Sequence, residues 1–218
     1  MALPTPVALL VLALVLGSVA YGHYREIPDP PDWETLRSGL IRLWALTGVL
    51  GALVVFFGTP ADVFLGAPSV GTLVDGFLFG FIAYAGTMLL SALAVRQTGG
   101  VTASEATLVL LEQPRRRKLG AALTNAVAES LVFYGYAAGA LVALGAPTWA
   151  GALVGTAGFV VTRTRWRVRE GLQHLPGALV LAGLLVHTES LYAVVLVRLV
   201  YETVTILSGS PEDYAGES

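Results

Sequence analysis

Apolar residues occupy this chain in long blocks, covering 3–22, 40–58, 71–95, 119–145, 148–162, 175–186 and 191–208. A hydrocarbon core of about 30 Å takes about 20 residues of helix, so the pattern predicts an all-α fold. The expected architecture is a polytopic transmembrane helix bundle of about seven spans, forming a single integral-membrane domain over 1–218. The sixth block rises only about 18 Å as a helix and spans only if it extends into its flanks. The first block carries no Lys or Arg from Met1 to Gly22, so it is expected to be a retained helix and not a cleaved leader.

Composition points the same way. Only 13% of the 218 residues are charged and 55% are hydrophobic. A soluble domain carries about a quarter charged residues, so a water-facing surface cannot be built from this sequence. A net charge of -2, with no stacked aromatic and basic platform, excludes nucleic-acid binding. The chain has no cysteine, which leaves carboxylate, imidazole, hydroxyl and guanidinium groups for any chemistry. His23, His174 and His187 fall in or beside connections, with no second histidine at i+3 or i+4. No HExxH, GxSxG or Gly-rich phosphate loop occurs, so neither a metal site nor a cofactor is expected.

The basic residues are one-sided. If all seven blocks cross, the connections 59–70, 146–147 and 187–190 contain no Lys or Arg. The opposite face holds Arg25, Arg37, Arg96, Arg115, Arg116, Arg117, Lys118, Arg165, Arg167 and Arg169. The positive-inside rule makes that face cytoplasmic, with the N-terminus outside and the tail 209–218 inside. The run Arg115 to Lys118 serves as a topology anchor or attracts anionic headgroups. Segment 101–111 opens on a Thr102-x-x-Glu105 capping pattern and is expected to lie along the interface. The pairs Gly76/Gly80, Gly135/Gly139 and Gly151/Gly155 have GxxxG spacing and predict close helix packing.

Four charges fall inside the apolar blocks: Glu129, Arg163, Arg198 and Glu202. Each costs about 2.5 to 3.5 kcal/mol in hydrocarbon on the insertion scale, so each requires a partner or a role. Glu129 lies about 15 Å along its helix, near the midplane. Arg198 and Glu202 share a helix face at i, i+4, and Arg163 stands at the inner end of its block, where snorkelling is open to it. The depths suit one cluster of zero formal charge, a mutually hydrogen-bonded quartet that Asn125 and Tyr134, about one turn to either side of Glu129, can extend.

These positions carry a resemblance. The segment 119–208 resembles the CPBP intramembrane proteases, the Abi or type II CAAX prenyl endopeptidase family. The family's EExxxRG motif aligns with Glu129-Ser130-Leu131-Val132-Phe133-Tyr134-Gly135, and FxxxH aligns with Phe159-Val160-Val161-Thr162-Arg163. The HxxxN or HxxxD motif aligns with Arg198-x-x-x-Glu202, after His187-Thr188-Glu189-Ser190-Leu191-Tyr192 in place of the family's TGSLW turn. The resemblance implies a membrane endopeptidase fold in which the Glu and two His activate water. Here Ser130 replaces the second Glu, Tyr134 the Arg, Arg163 and Arg198 the two His, and Glu202 the Asn. A guanidinium has no lone pair for a metal or a proton, and two of them make Glu129 a weaker base than imidazoles would.

The first functional expectation is therefore a CPBP-like membrane protein without peptidase activity, with the lipid bilayer and a membrane or prenylated peptide as partners. The second is an active endopeptidase using Glu129 as base and an arginine at the oxyanion. The third is a membrane-embedded interaction or lipid-binding protein unrelated to proteolysis.

Overall fold

The computed structural model describes residues 3–24, 31–66, 68–97, 105–164 and 168–209. Among them the regular elements are all helical. They are α1 (Thr5–Tyr24), α2 (Trp33–Phe57), a 3-10 turn (Pro60–Val63), α3 (Val70–Gln97), the short α4 (Glu105–Leu111), α5 (Arg115–Ala143), α6 (Thr148–Thr164), α7 (Val168–Thr188) and α8 (Leu191–Ser208). Arg25, Thr102, Arg165, Arg167 and the tail from residue 210 lie outside the described residues, as does the side chain of Arg169.

Five of the helices, α1, α2, α3, α5 and α8, are long and apolar enough to cross a membrane. The other two long helices fail for different reasons. Helix α6 has 17 residues, a rise of about 26 Å. Helix α7 has 21 residues but begins with Arg169, Glu170, Gln173 and His174 in its first two turns. The sixth apolar block does extend into its flank: the helix starts at Val168 and runs through Pro176. Proline removes one backbone hydrogen bond from a helix interior, and the next residue, Gly177, sits where a Cβ would come within 2.8 Å of the Met88 sulfur on α3.

Helix α5 is the axis of the bundle. Of its apolar window 67% is buried, against 17% for each of α1, α2 and α3. The outer helices bury one stripe each, Ala8, Val11 and Val15 on α1 and Thr47, Leu50 and Val54 on α2. Their remaining faces are apolar and exposed, including Leu9, Leu16, Val55 and Phe56, and α3 adds Phe79, Ile82 and Leu90. A continuous apolar exterior of this kind suits hydrocarbon and not water.

Small residues set the distances between helices. On α6, a Cβ at Gly155 would collide with the Phe133 carbonyl oxygen of α5, and one at Gly151 would lie 2.7 Å from the Ala138 carbonyl. On α3, Gly76 and Gly80 seat against Leu184 of α7 and Ala193 and Val197 of α8. The GxxxG pairs therefore make contacts within the chain. At one end of the bundle the 3-10 turn closes over α5, Phe64 adopts a left-handed conformation (φ 60°), and its carbonyl accepts the Leu191 N–H at 2.9 Å. That bond satisfies one of the orphan donors at the start of α8.

At the other end Asp32 caps α2, accepting the Thr35 N–H at 2.8 Å. The Thr35 side chain and backbone hold the Asp32 carboxyl below the usual carboxylate range. Its contribution is therefore present above that range and is lost as acid takes the pH down through the lowered value.

Replacing Gly155 by Val should lower stability by about 2 kcal/mol or prevent folding, because it overpacks a helix contact set by backbone. Gly86→Ala, which meets nothing within 4 Å, should leave the melting temperature unchanged or raise it. Fluorescence-detected size exclusion after heating reads both, and equal losses would contradict the packing described.

Candidate functional site

Three helices meet at one carboxylate. Glu129 and Ser130 lie midway along α5 between two π-helical segments, Thr124–Ala128 and Leu131–Ala137. Wide turns of this kind are rare and re-aim the side chains around them. Arg163 comes from the last turn of α6, and Arg198 and Glu202 from one face of α8.

The contacts are short. Glu129 Oε2 accepts from Arg163 Nη2 at 2.7 Å and from Arg198 Nη2 at 2.8 Å. Arg198 Nη2 also donates to Glu202 Oε1 at 3.2 Å, and Nη1 donates to Ser130 Oγ at 3.3 Å. Arg198 is fully buried, while the side chains of Glu129, Arg163 and Glu202 retain 13, 20 and 16% exposure. Arg163 thus turns inward to the carboxylate, and the sequence-based option of snorkelling to the interface is not the one taken.

Phe159 is the apolar seat of this cluster. Its ring is buried, and the guanidinium carbons of Arg163 and Arg198 stand 5.2 and 4.9 Å from its centroid. Both distances are within cation–π range, and away from water such contacts are worth about 2 kcal/mol. They also give Arg198 a favourable face where its Nε has no hydrogen-bond partner among the described residues. Two Glu and two Arg sum to zero charge, so the quartet satisfies itself in a low dielectric as no single member could.

Two residues expected to extend the network do not join it. The buried Tyr134 hydroxyl donates to the Ala178 carbonyl at 3.0 Å and lies 3.4 Å from Thr156 Oγ1. That hydroxyl ties α5 to α6 and α7 instead of reaching Glu129. Asn125 is half-buried with no side-chain hydrogen bond among the described residues. His174 departs from the expected connection: it lies within α7, its ring edge-on to Phe159 at 6.3 Å. The sequence signal for Phe159 was its i, i+4 spacing to Arg163, which places ring and guanidinium on one helix face.

Glu129 and Arg163 form part of the wall of an open cavity of about 300 Å³ lined by α1, α2, α4, α5 and α6. Asn125, Glu129 and Arg163 all line it. The second carboxylate oxygen of Glu129, Oε1, accepts no hydrogen bond from the described residues. Among the described residues no group of three or more His, Asp or Glu side chains is placed to hold a metal ion. The donors beside Glu129 are guanidinium groups, which offer no lone pair for one. No family model, no curated protein and no solved structure matches the chain.

Substituting Arg198 by Leu leaves Glu202 without its ion-pair partner and Glu129 with Arg163 alone, and should destabilise the protein by about 3 to 5 kcal/mol. Glu202→Gln, which leaves both contacts of Glu129 in place, should lose less than half as much in the same unfolding titration. Wild-type stability for Arg198→Leu would contradict a quartet that holds the bundle.

Proposed function

We propose that this chain is a divergent member of the CPBP intramembrane protease family that has no peptidase activity. In this reading, ion pairs replace the water-activating site, and the fold holds a membrane ligand or partner without cleaving it. One observation carries the proposal: Glu129 on α5, Arg163 on α6 and Arg198 on α8 converge within 2.8 Å contacts at the three motif positions of the family. The chemistry supports loss of activity, because a carboxylate clamped by two guanidinium groups is a poor base and its neighbours cannot shuttle protons.

The proposal includes topology. All seven long helices cross, α6 and α7 shielded by their neighbours, and the basic connections face the cytoplasm. The packing supports this reading, since α7 lies against both α3 and α6.

Two measurements test the proposal. Purified protein should leave a prenylated CAAX peptide intact across pH and added divalent metals. Cleavage that disappears in Glu129→Gln would establish an active endopeptidase of altered mechanism instead. Because the chain has no native cysteine, single cysteines report topology without background. Ser69→Cys should react with an impermeant maleimide in intact cells and Gln113→Cys only after permeabilisation, and the reverse pattern would overturn the orientation.

A further inference from the structure

The cavity beside the quartet has features that the ion pairs do not account for. From the ends of α1 and α2, marked by Tyr21 and Trp33, it runs inward to Asn125 and Glu129. The Trp44 indole N–H donates to Thr124 Oγ1 at 2.9 Å, which fixes α2 beside this part of α5. Its walls are mainly apolar, with Val15 and Val19 from α1, Leu36, Leu43 and Leu46 from α2, and Val132 from α5, and Ser18, Thr35 and Thr107 stand among them. Its inner end presents two hydrogen-bonding groups that no other described residue engages. They are Oε1 of Glu129 and the Asn125 side-chain amide, one turn apart on the same helix face.

The charges around the cavity are already answered. Arg163 is paired to Glu129 at 2.7 Å. Arg42, also on the wall, donates to the Ser38 carbonyl at 2.9 Å and to Ser38 Oγ at 3.1 Å, and lies 5.4 Å from the Tyr21 ring centroid. The quartet is neutral as a unit. An anionic head would have to break these arginine contacts, and a cationic head would unbalance a neutral cluster in a low dielectric. A neutral head with hydroxyl or amide donors meets neither cost. It supplies a donor to Oε1, and donor and acceptor to Asn125.

We propose that this cavity binds a neutral single-chain lipid whose head carries hydroxyl or amide donors, the head at Asn125 and Glu129 and the chain along the α1 and α2 wall. At about 300 Å³ the cavity stands at the small end of ligand pockets, which suits one short chain and not a two-chain phospholipid. The assignment stands on the cavity and does not depend on the family reading.

The test uses the full chain in detergent, with 1-monodecanoylglycerol as probe, read by native mass spectrometry and by thermal shift. One saturable adduct is expected. Methyl decanoate, which keeps the chain but has no donor, should bind about tenfold more weakly, since its head leaves buried acceptors unpaired. Decanoate and decylammonium should be weaker still. Asn125→Leu should weaken the glycerol lipid about fivefold, the loss of one hydrogen bond, while leaving methyl decanoate unaffected or tighter. If that variant does not fold, the head-group series on the unaltered protein decides. No saturable adduct, equal binding of the donor-free ester, or preference for decanoate would each overturn the assignment. Cleavage of a prenylated peptide by a protein that also binds the lipid would overturn the proposed function alone.

Discussion

A single carboxylate oxygen, Glu129 Oε2, receives guanidinium groups from two different helices, at 2.7 Å from α6 and 2.8 Å from α8. This constraint organises the bundle around α5. Isolated charges at these positions would each cost several kcal/mol off water. Joined, they become a polar link between three helices whose other contacts are mainly apolar, and they hold α6 and α8 in one register against α5. Ser130 and Glu202 give the fully buried Arg198 two further acceptors, and Phe159 lies under both arginines. The arrangement works as a clasp, and the same geometry disfavours water activation because the carboxylate is neutralised and its neighbours are permanent cations.

The backbone is shaped to allow this. Two π-helical segments flank Glu129 and Ser130 on α5, and between them the carboxylate faces α6 and α8 while Tyr134 turns to the Ala178 carbonyl on α7. Glycines on α6 then let that helix approach to backbone contact, so that Arg163 reaches across from its final turn. Clasp and close packing depend on each other. The guanidinium groups need short helix separations, and the small-residue contacts give them.

Much of this was legible in the sequence because the relevant signals are one-dimensional. Long apolar blocks locate the long helices, charge scarcity marks the four intramembrane charges, and i, i+4 spacing pairs Arg198 with Glu202. What stayed hidden depends on backbone geometry or on several helices at once. The stretch Thr124–Ala137 contains no proline, so nothing in it announced π-helical turns, and no spacing along the chain pointed the Tyr134 hydroxyl to the Ala178 carbonyl. The polar residues before Leu175 made the sixth block look short, whereas the helix continues through them and brings His174 onto Phe159. The cavity, assembled from five helices, has no linear signature.

The central claim is that Glu129 and Arg198 act as one structural unit, and a double-mutant cycle measures that directly. Glu129→Leu, Arg198→Leu and the double variant are compared with the unaltered chain by reversible unfolding in detergent. Each single variant leaves the cluster with a net charge, and in the double variant the remaining Arg163 and Glu202 balance. The account predicts a coupling of about 2 kcal/mol or more, with the double variant no less stable than either single one. Losses that add within about 0.5 kcal/mol would show two independent side chains and would contradict it.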